Sequence, residues 1–326
     1  MIKFDHIKDL DALSFNLKTT REYLLQVLDS PILQYEVKNI PKRGSSGYRT
    51  LFIANFQLRS IHKIIRDDLS KRAIWPEYVH GFVKKRSIVT NAKLHLSKKV
   101  ILNIDIKSYY ESITKAKVRQ VFKCLGANDE ISDMLAGICT CKDYLIPGTV
   151  CAPVISNLIF AECDKELLAI ATKNECSYSR YVDDITFSGE IIPSIKEVDK
   201  VLTLHGFVRN AKKTIRQFRG RKQYVTGLTV FDGTIPRIPK WKKEEFRKAM
   251  YFMAKYGIDE HLTRIGSVEN SYECLKRFRG LICFYRSIEP CFVSKYTKAW
   301  KKIISDFIHK NKKNRPKDKS VFLCDF

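Results

Sequence analysis

Residues 178–188 read Tyr-Ser-Arg-Tyr-Val-Asp-Asp-Ile-Thr-Phe-Ser and predict a β-hairpin with two acidic residues at its turn. The flanking segments, 178–182 and 185–188, contain the aromatic and β-branched residues that favour strands. Asp183 and Asp184 lie between them, and aspartate tolerates tight turns. An Asp-Asp pair is also ordinary in a turn, so the hairpin by itself leaves a structural and a catalytic interpretation open.

A second acidic residue at a strand end lies far earlier in the chain. Residues 100–105, Val-Ile-Leu-Asn-Ile-Asp, predict a buried strand that ends on Asp105. With a last strand predicted over 223–230, the order is strand, helix, strand, strand, helix, strand, which is the ferredoxin-like arrangement. Its first strand runs parallel to its second, with the third antiparallel between them. We therefore expect Asp105 and the pair at 183–184 to meet at one edge of the sheet. Cap residues and apolar periodicity predict helices that begin near Thr114, Pro153 and Ser194.

The remaining segments have simpler patterns. Residues 1–34 have helical periodicity, and residues 35–54 predict two strands around a basic turn. Asn55 is a candidate cap for the next helix. Residues 236–326 predict a helical lobe with a lysine-rich face.

Composition restricts the class of protein. The 326 residues are 44% hydrophobic, which excludes a disordered, collagen-like or disulfide-knotted chain. No run approaches the roughly 18 apolar residues of a membrane span. The first residues lack an apolar signal core, and the ten cysteines form no C-x-x-C pair. We therefore expect a cytoplasmic protein with reduced thiols and no membrane partner.

Charge indicates the class of partner. Lysine and arginine number 59 against 35 acidic residues, a formal net charge of +24. So large a surplus costs self-repulsion unless a polyanion neutralises it, which favours a nucleic-acid partner. A merely basic protein or a membrane-surface binder is the alternative that charge alone leaves open.

Carboxylates at the sheet edge of such a chain indicate a metal-dependent reaction. Three oxygen-bearing acids without histidine or cysteine match the ligands that Mg²⁺ prefers. Two such ions can stabilise both the attacking and the leaving oxygen of a phosphoryl transfer. The residues therefore predict two Mg²⁺ ions and nucleotidyl transfer.

Four ordered motifs resemble those of reverse transcriptases. Tyr181-Val182-Asp183-Asp184 matches their Y-x-D-D box, and Asp105 with the aromatic pair Tyr109-Tyr110 resembles their first catalytic aspartate. Residues 148–157 are similar to the palm-helix motif, and residues 206–214 to the box ending in lysine and threonine. One departure is Pro147, where the family usually has a glutamine. The resemblance, over about residues 35–235, implies an α+β right-hand polymerase with fingers, a ferredoxin-like palm and a helical thumb.

This resemblance also implies a division of the chain. Residues 1–97 would form N-terminal helices and fingers. Residues 98–235 would form the palm, with a helical fingers insertion at about 111–145. Residues 236–326 would form a basic, RNA-binding thumb.

Two further strings resemble signatures of bacterial retron reverse transcriptases. Residues 91–95 fit N-A-x-x-H, and residues 225–227 read V-T-G. Members of this family copy a cognate structured non-coding RNA from deoxynucleotides, priming from a guanosine 2′-OH of that RNA. The implied product is a branched RNA–DNA hybrid, and the implied setting is anti-phage defence in the bacterial cytoplasm with an effector protein. Group II intron-like and diversity-generating reverse transcriptases are the alternative enzymes, and a non-catalytic RNA-binding scaffold is the alternative class.

The resemblance assigns a role to each candidate residue of the active site. Asp105, Asp183 and Asp184 would hold the two Mg²⁺ ions, with the backbone carbonyl of Ile106 as a further ligand. The residues expected to touch the incoming nucleotide are Arg49 and Lys42 on its triphosphate, Tyr110 as a gate against the ribose 2′-OH, Gly148 through its backbone, and Lys213 as proton donor to pyrophosphate. A solvated basic turn, a core aromatic and a plain surface lysine are the structural alternatives for Lys42, Tyr110 and Lys213.

The expected RNA contacts come from the two retron signatures and the start of the thumb. A-form RNA is recognised largely through its shape and backbone, which suits basic residues on a helix. The candidates are Asn91, His95, Val225, Thr226, Gly227, Lys240, Lys242, Lys243 and Arg247.

Overall fold

The computed structural model describes residues 1–41 and 47–310. Its contacts divide the chain into two compact units, Met1–Arg221 and Lys222–Phe326. Within the described ranges, no helix is both long enough and apolar enough to cross a membrane.

The N-terminal part of the first unit is mostly helical. Asn55 caps its longest helix by accepting a hydrogen bond from the Leu58 amide at 2.8 Å, as predicted. Strands β1 and β2 pair antiparallel, which confirms the predicted hairpin. The elements are α1 (Leu10–Asn16), α2 (Arg21–Asp29), β1 (Tyr35–Pro41), β2 (Tyr48–Ala54), α3 (Phe56–Arg72) and α4 (Ile88–Lys93), with short 3₁₀ turns at Phe4–His6 and Pro31–Gln34.

The central sheet and its helices complete the first unit. Helix α7 packs on α3, α5, α8 and strand β6, and the buried core runs through all of them. The elements are β3 (Val100–Lys107), α5 (Lys115–Cys124), α6 (Asp129–Cys139), β4 (Thr140–Cys141), β5 (Tyr144–Leu145), α7 (Ala152–Lys173), β6 (Ser177–Tyr181), β7 (Asp184–Gly189), α8 (Ile195–Leu204), β8 (Val208–Arg209) and β9 (Ile215–Phe218).

The strand order confirms most of the predicted topology. Strand β7 lies between β6 and β3 and is antiparallel to both, so β3 and β6 are parallel. The predicted last strand over 223–230 is wrong, because β8 and β9 pair with the other edge of β3. That edge therefore has no place for residues 223–230, which form a small hairpin in the second unit.

The second unit consists of that hairpin followed by helices, as predicted for residues 236–310. Its core contains buried aromatic and aliphatic side chains, among them Phe246, Phe278 and Trp300. The division between units falls at 221/222, whereas the predicted palm-to-thumb boundary at 235/236 stays a prediction. The elements are β10 (Tyr224–Val225), β11 (Leu228–Thr229), α9 (Lys240–Tyr256), α10 (Ile258–Arg264), α11 (Ser271–Ile288), α12 (Pro290–Ser294) and α13 (Thr297–Lys310).

Candidate active site

Three aspartates converge at one end of the central sheet. Asp105 on β3 is the direct cross-strand partner of Asp184 on β7. The Ile106 amide donates a hydrogen bond to the Asp183 carbonyl at 3.1 Å. Val182 has a φ of +62°, so the chain turns sharply just before Asp183. The antiparallel register thus brings together acids that are 78 and 79 positions apart in the sequence.

The clustered charges change the protonation of Asp184. Its side chain reaches the surface, but protein atoms around the carboxyl group remove much of its hydration. This desolvation, followed by the negative charges of Asp183 and Asp105, raises the pKa of Asp184 to about 7. The Asp184 carboxyl group is therefore harder to ionise than that of an isolated aspartate.

Two neighbouring side chains bind the Asp105 carboxylate. Asn210 Nδ2 donates to Oδ1 at 2.9 Å, and Lys213 Nζ donates to Oδ2 at 2.9 Å. The hydrogen bond to Asp105 is the main cause of a raised Lys213 pKa. The Lys213 ammonium therefore lies at the carboxylate cluster, while its role as a proton donor to pyrophosphate stays a prediction. Asn210 was missed, although it lies within the quoted motif at 206–214.

The donor set fits a hard divalent cation. In residues 1–41 and 47–310, no group of three or more His, Cys, Asp or Glu side chains is arranged to enclose a metal ion by itself. Magnesium needs no such cage, because it is usually bound by one or two carboxylates together with waters and substrate phosphates. The oxygen donors of the three aspartates fit such a site, which waters and substrate phosphates would complete.

Tyr109 and Tyr110 occupy different environments. Tyr109 is buried, and its ring stacks on Phe207 with centroids 5.8 Å apart. Tyr110 is half-buried, and burial followed by the negative charge of Asp183 raises its pKa to about 12. Tyr110 is thus the partly exposed aromatic beside the carboxylates, while Tyr109 belongs to the core.

Two other predicted nucleotide contacts lie on a loop and near the start of a strand, and a third lies outside the described residues. Gly148 is exposed with a φ of +89°, and a Cβ there would meet nothing within 4 Å. Arg49 lies on β2, and its side chain lies outside what the structure describes. Lys42 lies outside the described residues.

The N-A-x-x-H signature is buried beneath the Asp-Asp hairpin. His95 is fully buried, with Nδ1 at 2.6 Å from Ser188 Oγ and Nε2 at 2.7 Å from Ser179 Oγ. Asn91 is also fully buried. Direct contact of these two side chains with RNA, as expected from the motif, is wrong for this structure. The ring joins β6 to β7 instead.

Replacing His95 should make the folded protein less stable and less sensitive to acid. Burial, followed by the charges of His80 and Lys98, lowers the pKa of His95 to about 3. An unfolded histidine titrates near 6.5, so the free energy of unfolding should fall by up to about 1.4 kcal/mol per pH unit as the pH drops from about 6.5 towards 3. His80 acts in the same direction, since burial lowers its pKa to about 4.

Denaturant unfolding of wild type and His95→Gln at several pH values checks this. At neutral pH the variant should lose about 1–3 kcal/mol, because a buried hydrogen-bond partner of both serines is changed. Its stability should then vary less with acid than that of the wild type. An unchanged pH profile would contradict the buried neutral ring.

The V-T-G signature forms a tight turn. Thr226 and Gly227, with φ of +46° and +78°, join β10 to β11, and positive φ at both positions is the geometry of a type I′ hairpin. Val225 is fully buried, so the predicted contact of its side chain with RNA is wrong here. Lys242 Nζ would lie 3.8 Å from a Cβ on Gly227. The turn and Lys242 therefore share one surface of the second unit.

The basic residues of α9 differ in what they already bind. Lys243 Nζ lies 2.6 Å from Glu289 Oε1 and is mostly buried. Lys240 is almost fully exposed and 3.9 Å from Glu244. Lys242 lies over the Trp241 ring, and Arg247 donates to the Tyr296 hydroxyl at 3.3 Å. Lys240, Lys242 and Arg247 are thus better placed for RNA phosphates than Lys243.

Comparison with known proteins defines the class of the enzyme. Residues 40–223 match the family profile "Reverse transcriptase (RNA-dependent DNA polymerase)". The retron Ec86 reverse transcriptase of Escherichia coli is 30% identical over 298 residues, 87% of this chain and 90% of its own. The retron Se72 reverse transcriptase of Salmonella heidelberg is 29% identical over 269 residues, 79% of this chain and 71% of its own. A telomerase structure from Candida albicans covers 89% of this chain and 64% of its own at 12% identity and a TM-score of 0.44, a likeness too low to carry an argument.

The fold and the family define an RNA-directed DNA polymerase of the right-hand, α+β type. Its catalysis depends on divalent metal ions, as in this family generally. The chain belongs to the reverse transcriptase family and, within it, to the bacterial retron reverse transcriptases.

Proposed function

We propose that the enzyme copies a cognate structured non-coding RNA into a short DNA that is primed from a guanosine 2′-OH of the same RNA. The product would be a branched RNA–DNA hybrid. The observation that carries the proposal is the meeting of Asp105, Asp183 and Asp184 at one sheet edge, in a chain similar to retron reverse transcriptases over most of its length. Deoxynucleoside triphosphates are the co-substrates.

The three aspartates would hold two Mg²⁺ ions, with the Ile106 carbonyl as a backbone ligand. Bound there, the ions would lower the pKa of the attacking hydroxyl and stabilise charge on the transferred phosphoryl group. In each addition, the primer hydroxyl loses its proton to solvent, its oxygen forms a bond to the α-phosphorus, and the bond from that phosphorus to pyrophosphate breaks. Lys213, whose ammonium already lies at this edge, would protonate the pyrophosphate oxygen that leaves.

The other proposed nucleotide contacts are assigned from the positions of the residues in the family motifs and in the fold. Arg49, on β2, and Lys42 would bind the triphosphate, where guanidinium and phosphate pair well. Tyr110 would exclude the ribose 2′-OH, and the backbone at Gly148 would approach the nucleotide closely.

Sequencing the nucleic acid that co-purifies with the protein tests the priming step. We expect short DNA joined through a 2′,5′ linkage to an RNA encoded beside the gene. Asp183→Asn protein from the same host should carry that RNA without DNA. DNA without an RNA branch, or an intron RNA in place of the non-coding RNA, would contradict the proposal.

A defence role in the bacterial cytoplasm with an effector protein is the wider setting that we propose. Expression of the chain with its neighbouring genes should lower phage plating efficiency, because defence would need the branched product. The Asp183→Asn version should not protect. Equal protection by both versions would mean that defence does not need DNA synthesis, which would contradict this proposal.

RNA binding through the second unit should depend steeply on salt. Each phosphate contact adds roughly 0.7–0.9 to the slope of log affinity against log salt. Lys242→Ala should therefore weaken binding severalfold and reduce that slope by about one. Lys196→Ala, an exposed lysine on α8, is the control and should change neither. Filter binding at several salt concentrations measures both, and an equal effect of the two variants would refute a thumb contact.

A further inference from the structure

A buried arginine lies directly under the Asp-Asp turn. Arg180, on β6, has no exposed surface, and its Nε and Nη2 donate to the two carboxylate oxygens of Asp164 at 2.8 and 2.7 Å. Its Nη1 donates to Asn157 Oδ1 and to the backbone carbonyl of Val182, both at 3.0 Å. The guanidinium thus connects helix α7 to the residue that precedes Asp183.

The network around this arginine satisfies its buried charges. Asp164 is almost fully buried and also accepts a hydrogen bond from the Tyr178 hydroxyl. The guanidinium carbon lies 4.6 Å from the centre of the Phe160 ring. A buried ion pair is a poor source of stability unless its geometry is good and its remaining polar groups are paired. The fixed, planar fork of arginine provides that geometry, whereas the ammonium of lysine does not.

The turn that Arg180 contacts is strained. Val182 has a φ of +62°, a backbone conformation that β-branched residues rarely adopt. A strained residue persists only where its surroundings hold it in place. The Arg180 hydrogen bond holds its carbonyl, and Gly81 packs so closely that a Cβ there would lie 2.4 Å from the Val182 nitrogen.

The segment that presses on the turn is tied to the same network. The Asn157 side chain donates to the Gly81 carbonyl at 2.9 Å while accepting from Arg180. The His80 amide donates to the Arg180 carbonyl at 2.8 Å, and the Arg180 amide donates to the Tyr78 carbonyl at 2.8 Å. Asn157 is therefore hydrogen-bonded to both groups that confine Val182, the Gly81 backbone and the Arg180 guanidinium.

We propose that Arg180, oriented by Asp164 and Asn157, is a positioning residue for DNA synthesis: it holds the Val182 carbonyl and so fixes the left-handed turn that presents Asp183. This inference rests on the proposed catalytic role of Asp183. Arg180 itself has no exposed surface and would contact neither substrate nor metal.

The test compares the kcat of primer extension with thermal stability. Arg180→Lys keeps the charge but not the fork, and should lower kcat at least about tenfold while RNA affinity stays within about twofold. Leu135→Ala, in the buried face of α6, is the control for general destabilisation. If Leu135→Ala lowers Tm by as much as Arg180→Lys does, it should still retain most of the wild-type kcat.

A second substitution separates positioning from folding. Glycine adopts positive φ without strain, so Val182→Gly should raise the kcat of Arg180→Lys at least about threefold. Asn157→Ala keeps the ion pair between Arg180 and Asp164, so it should lower kcat by a smaller factor than Arg180→Lys does. This variant tests the proposal even if Arg180→Lys does not fold. The proposal would be overturned if Arg180→Lys and Leu135→Ala lost the same fraction of kcat for the same loss of Tm. It would also be overturned if Val182→Gly did not raise the kcat of Arg180→Lys. Full activity of Asp183→Asn would instead overturn the proposed function.

Discussion

Asp183→Asn should abolish DNA synthesis and leave RNA binding nearly unchanged. Asparagine has the size of aspartate but neither its charge nor its strength as a ligand for hard cations. Losing metal-based stabilisation of the transition state, worth several kcal/mol, corresponds to a fall in kcat of roughly a thousandfold or more. Asp183 lies at the hairpin turn beside Asp105 and Asp184, so on the proposed assignment the substitution removes a metal ligand and not a phosphate contact.

Primer extension and filter binding on the same preparation measure the two effects. Glu162→Gln, which removes an exposed carboxylate of helix α7 with the same change of charge, is the matched control. It should extend primers normally. Undiminished extension by Asp183→Asn would refute the metal assignment, and a parallel loss of RNA binding would indicate misfolding.

Tyr110→Ala should admit ribonucleotides. The Tyr110 side chain is half-buried near Asp183, so its ring can occupy the space beside the sugar of a nucleotide bound at the carboxylates. Removing the ring removes the steric penalty on the 2′-OH. We expect the ratio of kcat/KM for deoxy- over ribonucleotide to fall at least about tenfold, or about 1.4 kcal/mol of discrimination.

Tyr110→Phe separates the ring from its hydroxyl. Phenylalanine keeps the ring and loses only the hydroxyl, which interacts with Ser156. It should therefore retain the discrimination of the wild type. Single-nucleotide incorporation with matched deoxy- and ribonucleotides measures the ratio. If Tyr110→Ala still rejects ribonucleotides, the sugar is selected elsewhere in the site.

Several parts of the site were predictable from local sequence. Runs of apolar, aromatic and β-branched residues predict β3, β6 and β7, and strand order brings Asp105 to the pair at 183–184. The last strand was misassigned because residues 215–218 and 223–230 are both short and β-like. Only one of these segments can pair with the free edge of β3, and local strand propensity cannot predict which one does.

The roles of the polar residues in the core could not be predicted in the same way. His95 and Asn91 looked like recognition residues because they belong to a motif that resembles a retron signature. The structure buries both, and it pairs His95 with serines 84 and 93 positions away. The role of Arg180 could not be predicted either, because nothing in the neighbouring sequence indicates that it pairs with an acid in α7.

The amino-acid sequence alone determined the class of reaction and the order of β3, α5, α7, β6, β7 and α8, because motif carboxylates, helix caps and strand-forming residues are local properties defined by residue type and spacing. The tertiary structure alone decided which polar groups meet: Lys213 with Asp105, His95 with its two serines, and Arg180 with the carbonyl beneath the turn. Such pairings join residues distant in sequence, and their strength depends on ångström-scale distances and on burial, which only the packed chain defines.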